Sequence, residues 1–144
     1  MRPLIAALLT LALAACAGVL PPGGSTPAAP LEQWQGATAP QSAPLQLLAE
    51  NEEEWQSLWA LAGSPVTRPL PPDAVGVGVF LGERATGGYG LLLRGQRLSG
   101  GALLVEWREE PPAKDAAAMQ MITQPWAIAL FPAGEGKPLL RPGY

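Results

Sequence analysis

Apolar and polar positions alternate in the second half of the chain, beginning at Ala74. Alternation over several residues predicts a β-strand with two distinct faces. Glycine on one face lets another element pack closely against the strand. One face carries Val75, Val77, Val79 and Leu81, and the other carries Gly76, Gly78 and Phe80.

A hairpin is predicted next. Tyr89 to Leu98 forms its first strand, Ser99-Gly100-Gly101 supplies the turn, and a further strand runs up to Pro111-Pro112. The first strand has Tyr89, Leu91 and Leu93 on one face, and the second has Leu103, Val105 and Trp107. The opposite face of the second strand carries Glu106 and Arg108, across from Arg94 and Arg97.

The spacing changes to a helical one after Asn51. Asn51 is a suitable N-cap, and Glu54 stands three residues later, as in a capping box. Glu52, Glu53 and Glu54 are favoured by the helix dipole, so we interpret them as a solvated helix start rather than a binding patch. One apolar stripe follows, and Gly63-Ser64-Pro65 ends the helix. The stripe consists of Trp55, Leu58, Trp59 and Ala62.

The remaining segments give weaker patterns. Leu45 to Ala49 reads as a short strand, and the prolines between 31 and 44 argue against a helix there. Residues 119–123 and 126–131 read as one strand interrupted at Pro125. The chain from Gly134 onward reads as a loose tail in which Leu139-Leu140 could dock.

Together these elements predict a single α+β domain over residues 31–144. One amphipathic helix is expected to pack on a twisted, mostly antiparallel sheet of about five strands. Trp55 and Trp59 are expected to meet the valine, leucine and tryptophan faces of these strands.

The first sixteen residues have the layout of an export signal. Arg2 precedes an uncharged apolar run, and Leu13-Ala14-Ala15-Cys16 follows. The run is shorter than the roughly 20 residues of a transmembrane helix. Leu-Ala-Ala-Cys resembles the bacterial lipobox, which implies cleavage after residue 15 and lipidation of Cys16. An ordinary signal peptide with an incidental cysteine is the alternative.

The segment after the cysteine has no hydrophobic period and is rich in proline and glycine. Residues 16–30 are therefore predicted to be the lipidated cysteine and a flexible tether. The resemblance to sorted lipoproteins places the protein in the cell envelope, facing the periplasm or the exterior. Because Ala17 stands where some bacteria carry a retention aspartate, the outer membrane is favoured in a two-membrane cell.

Composition narrows the possible functions. The chain has no histidine and one cysteine, which removes the commonest general base and the Cys-rich zinc sites. We expect no metal, no cofactor and no catalytic residues. The net charge of −3 and the absence of a basic cluster argue against a nucleic-acid partner.

The segment from Gly82 to Gly90 joins the strand that begins at Ala74 to the first strand of the hairpin. It has four glycines in nine residues. It lacks the lysine and the following helix of a phosphate-binding loop. Thr86 is internal, so it is no N-terminal nucleophile. Glu109 and Glu110 are adjacent and would point to opposite faces of a strand, which disfavours a catalytic acid pair. A structural bend at Gly87-Gly88, with Tyr89 facing the core, remains the simplest interpretation.

This segment, Gly82-Glu83-Arg84-Ala85-Thr86-Gly87-Gly88-Tyr89, resembles the motif of the PrcB C-terminal domain family. The resemblance runs from about Leu45 to Pro132, with Trp126 where tyrosine is expected. It is supported by Glu54-Trp55, Leu58-Trp59, Glu109-Glu110-Pro111-Pro112 and Gln124-Pro125-Trp126.

The family is named for a lipoprotein subunit of a bacterial surface protease complex. The resemblance implies a non-catalytic protein that binds another protein, and the role that the family suggests is to assemble or stabilise a protease. Arg and Tyr are enriched at binding hot spots, so the candidate partner-binding loop comprises Arg84, Thr86, Gly87, Gly88 and Tyr89. The alternative function is a peptide- or glycan-binding module that uses the glycine-rich face of residues 75–80 and Trp107 or Trp126.

Overall fold

The computed structural model describes residues 24–143. The predicted signal peptide and Cys16 lie outside these residues. The described chain forms one helix, α1 (Glu52–Ala62), and eight strands. The strands are β1 (Thr26–Ala28), β2 (Glu32–Gly36), β3 (Leu45–Ala49), β4 (Ala74–Phe80), β5 (Gly90–Arg97), β6 (Leu103–Glu110), β7 (Trp126–Pro132) and β8 (Leu139–Pro142).

The strands build two four-stranded sheets, so the predicted single sheet with one helix is wrong. One sheet has the order β1-β5-β6-β8 and the other has the order β2-β7-β4-β3. All pairs are antiparallel except β6 and β8, which run parallel. The fold is mainly a β-sandwich.

The core between the two sheets explains the correction. The valine face of β4 meets the leucine faces of β5 and β6, and the side chain of Phe131 on β7 fills the same layer. The sequence pattern shows which strand face is buried, but it does not show what covers that face. We expected the helix to cover the valines, whereas the second sheet covers them.

The helix packs on the outer face of the second sheet. Trp55, Leu58 and Trp59 are buried there with Phe80 and Trp126. Both faces of β4 are consequently buried.

The glycines of β4 bring α1 close to the sheet, as the sequence predicts. A Cβ atom on Gly76 would lie 2.5 Å from Cε3 of Trp55, and one on Gly78 would lie 2.6 Å from Cδ2 of Leu58. The helix therefore rests directly on the backbone of β4.

The predicted start of α1 is confirmed. The side chain of Asn51 accepts a hydrogen bond from the N–H of Glu54 at 2.9 Å. In return, the carboxylate of Glu54 accepts one from the N–H of Glu50 at 2.7 Å. This reciprocal arrangement resembles a capping box, with the return bond shifted by one residue.

Three short segments differ from the sequence-based predictions. β1 falls inside the predicted tether and pairs with the end of β5. β8 forms from the predicted tail and pairs with β6. Residues 119–123 do not form the predicted strand, and only Thr123 makes an isolated bridge, to Arg84.

Within residues 24–143, no helix is long and apolar enough to cross a membrane.

Candidate functional site

The loop of residues 81–89 carries the chain from one sheet to the other. It leaves β4 in the second sheet and enters β5 in the first. Gly88 has a φ of 86° and a Cβ atom there would lie 2.9 Å from Cβ of Pro112. The bend therefore requires glycine at this position for both its backbone angle and its space.

Arg84 makes several hydrogen bonds that hold this loop in place. Its guanidinium donates to both carboxylate oxygens of Glu109, from Nε at 2.9 Å and from Nη2 at 2.7 Å. It also donates to the carbonyls of Leu81 at 2.9 Å and Glu83 at 3.0 Å. Its Cζ lies 5.8 Å from the ring centroid of Tyr89. Arg84 thus ties the loop to the last part of β6.

The Arg84–Glu109 pair is only partly shielded from water. The side chains are 26% and 31% exposed. The hydrogen bond from Arg84 lowers the pKa of Glu109, and partial burial opposes this effect. The same hydrogen bond raises the pKa of Arg84. Glu109 therefore stays ionised at neutral pH and is not poised as a general acid.

A second segment is bonded to the loop through its backbone. The N–H of Arg84 donates to the carbonyl of Thr123 at 2.8 Å, and the N–H of Thr123 donates back at 2.9 Å. The buried hydroxyl of Thr123 donates to the carbonyl of Thr86 at 2.9 Å. The N–H of Gly87 donates to the carbonyl of Met119 at 2.8 Å.

These bonds hold residues 119–122, which we call the methionine segment, on the surface above the loop. Met119, Met121 and Ile122 are 67%, 46% and 61% exposed. They make up three of the five large exposed apolar residues between 24 and 143, the others being Leu31 and Leu139. Clustered exposed apolar residues often mark a protein-interaction surface, and methionine adapts well to a partner.

The structure thus brings the predicted loop residues together but gives them different surroundings. Arg84 is partly exposed and paired with Glu109, and Thr86 contributes its carbonyl. Gly87 is buried, and Gly88 is exposed. Tyr89 is partly exposed beside Arg84, so the expectation that it faces the core is wrong.

Sequence reasoning missed the methionine segment because it interpreted residues 119–123 as a strand. A Met-x-Met-Ile pattern does satisfy alternation, and nothing local shows that the loop beneath it would hold it outside the sheets. The available signal was the flanking sequence. Three alanines precede the segment and Pro125 follows it, and this composition is poor for a strand of a buried sheet.

The glycine-rich face of β4 is not a ligand surface. Trp55 and Leu58 fill the space over Gly76 and Gly78. Trp126 is buried, and its Nε1 donates to the carbonyl of Thr38 at 2.9 Å. This face therefore gives no support to the peptide- or glycan-binding alternative.

The tryptophans of the proposed family resemblance form one structural cluster. The rings of Trp55 and Trp59 meet edge to face at 5.6 Å, and Trp34 and Trp126 adjoin them. They pack in the layer between α1 and the second sheet. They do not belong to the loop surface.

Comparison with known proteins supports the resemblance. Residues 76–132 match the family model described as PrcB C-terminal. This stretch begins in β4, contains the loop and the methionine segment, and ends with β7. Neither a curated protein nor a solved structure matches the chain.

Proposed function

We propose that the chain, in which residues 76–132 match the PrcB C-terminal family model, is a non-catalytic envelope lipoprotein whose domain binds another protein. The family is named for an accessory subunit of a protease complex, so the proposed partner is a secreted or surface protease that the domain assembles or stabilises. The observation that carries the proposal is the family motif loop, which supports an exposed apolar segment.

The proposed contact surface combines the loop with the methionine segment. The loop is held in shape through Arg84, Thr86, Gly87 and Gly88. Tyr89 is partly exposed, and the methionine segment is exposed. A preorganised apolar surface loses little conformational entropy on binding. This division of roles explains how a loop whose arginine is already paired can still serve recognition.

Proposed lipidation of Cys16 adds a geometric limit. Thr26, the first residue of β1, follows Cys16 by ten positions. A fully extended chain spans at most about 3.5 Å per residue, so this separation corresponds to about 35 Å. The start of β1 would therefore lie within about 35 Å of the membrane surface.

The proposal is tested in the native membrane with the full-length protein and a lysine-reactive crosslinker. The test variant replaces Met119, Met121 and Ile122 by glutamine. Its matched control replaces Leu31 and Leu139, which are 54% and 50% exposed, by glutamine. We expect the control to retain an envelope peptidase seen with the wild type, and the test variant to lose most of it.

Two results would contradict the proposal. The first is that wild-type protein yields no specific protein. The second is that the test and control variants recover the same partner equally well. A melting temperature measured for each variant separates loss of binding from loss of folding.

A further inference from the structure

β3 is an edge strand with backbone groups open to a partner. It pairs with β4, and no strand among residues 24–143 pairs with its other side. Just beyond the two ends of β4, the N–H of Leu81 donates to the carbonyl of Pro125 and the carbonyl of Asp73 accepts from the N–H of Ala133, so the odd-numbered positions bond toward β7. Because backbone direction alternates along a strand, the even-numbered residues of β4 bond toward β3.

This alternation identifies the open groups on β3. The even-numbered residues of β4 are paired with Leu45, Leu47 and Ala49. The N–H and C=O groups of Gln46 and Leu48 therefore point away from the sheet. The N–H of Glu50, next in this series, is taken by the carboxylate of Glu54.

The other edge strands have features that hinder the addition of a further strand, and β3 lacks these features. β1 has three residues and includes Pro27, and β8 has four and includes Arg141 and Pro142. β2 contains Glu32. β3 has the sequence Leu-Gln-Leu-Leu-Ala, with neither a charge nor a proline. Shortness, charge and proline are the usual protections of an edge.

Two cavities flank β3, and added side chains could enter them. One lies between Leu47 and Leu48 of β3 and Ser57 and Leu58 of α1. The other extends from Leu45 and Gln46 to Trp107 and reaches Arg84. Successive side chains of an added strand point to opposite faces, so alternate residues would have a cavity on each side.

Two acidic residues at one end of β3 indicate which side chain a partner segment would place there. Glu50 and Glu53 are exposed at the end of β3 where α1 begins. Within the described chain, their carboxylates make no hydrogen bond or ion pair. A basic side chain in the partner would complement them.

We propose that β3 receives an extended segment of the protein partner as an added strand, with apolar residues at alternate positions and a lysine or arginine beside Glu50 and Glu53. The inference rests on the proposed function, because it names how the partner docks. The added strand would begin near Arg84, so it continues the surface formed by the loop and the methionine segment.

A phage-displayed library of random dodecapeptides provides the probe. The full-length protein is immobilised in detergent micelles, and enriched peptides are synthesised and titrated. Gln46→Pro removes the outward N–H, which an edge strand tolerates. Gln46→Thr is the matched control, since it also loses the side-chain bond to Trp107 but keeps the N–H.

We expect enriched peptides to alternate apolar residues, to carry a basic residue near one end and to bind Gln46→Pro at least tenfold more weakly than Gln46→Thr. Amide hydrogen exchange of the wild-type protein is the second measurement and needs no variant to fold. Peptide binding should slow exchange at Gln46 and Leu48 at least tenfold, while Leu47 and Ala49 are already slow in the free protein.

Failure to enrich any peptide, equal binding to both variants, or unchanged exchange at Gln46 and Leu48 would overturn the inference. Enriched peptides without a basic residue would refute the charge assignment. None of these results depends on recovery of the native partner. A failed strand addition is therefore distinguishable from a failure of the crosslinking experiment.

Discussion

At the residue scale, the Arg84–Glu109 pair determines how the loop is held. The pair joins residues 25 apart in the sequence and connects the loop to β6. Its two charge-assisted hydrogen bonds give it directional specificity. Because both side chains are partly exposed, its contribution to stability is modest.

Glu109→Gln should reduce the free energy of unfolding by about 1 kcal/mol at pH 7. The folded-state pKa of Glu109 is lowered, so its stabilising contribution is full above the unfolded-state pKa of about 4.3 and is lost as pH falls through the folded-state pKa. Urea unfolding of wild type and variant should therefore show a difference at pH 7 that shrinks below about pH 4.

Glu110→Gln is the control for this experiment. Glu110 makes a single 3.4 Å contact with Arg108, and both side chains are 51% exposed. Its substitution should change the unfolding free energy by less than about 0.5 kcal/mol. An equal effect of the two substitutions at pH 7 would mean that the Arg84 pair does not stabilise the loop.

At the element scale, the contact of α1 with β4 depends on two glycines that differ in their neighbours. The ring of Trp55, itself enclosed by other tryptophans, lies over Gly76. A terminal methyl group of Leu58 lies over Gly78. A buried ring moves less readily than the end of a leucine side chain, so the two sites tolerate an added methyl group differently.

Gly76→Ala should therefore destabilise the protein by about 1–3 kcal/mol, and Gly78→Ala should cost less. Chemical denaturation followed by tryptophan fluorescence measures both variants against wild type. Equal costs, or a larger cost at Gly78, would show that α1 shifts as a rigid unit and that the two side chains do not respond separately.

At the scale of the whole molecule, β4 and β7 connect the two apolar layers. Each strand contributes one face to the core between the sheets and the other face to the layer under α1. Loss of packing in one layer should consequently weaken the other, and the domain should unfold in one cooperative transition.

Phe131→Ala tests this coupling. Phe131 lies in the layer between the sheets, which only Trp107 of the five tryptophans adjoins. The other four lie in or against the layer under α1. The substitution should cost about 3–5 kcal/mol. Circular dichroism and tryptophan fluorescence should report the same lowered midpoint; two separate midpoints would show that the layers unfold independently.

The sequence by itself determined the local features of this protein. Alternation located β4 to β6 and identified the apolar face of each, and the position of Asn51 predicted the start of α1. The glycine pair at positions 87 and 88 located the bend between β4 and β5. These features depend on neighbours a few residues apart, so local propensity and periodicity are sufficient to reveal them.

Only the tertiary structure decided what each face meets. Periodicity does not distinguish a helix from a second sheet as the cover of Val75, Val77 and Val79. β1 and β8 have too few residues to show a recognisable alternation of apolar and polar positions. They pair with longer strands whose alternation is clear. The Arg84–Glu109 pair, the exposure of the methionine segment and the open edge of β3 likewise arise from contacts between distant residues. Such contacts depend on how the whole chain folds, and no short stretch of sequence encodes them.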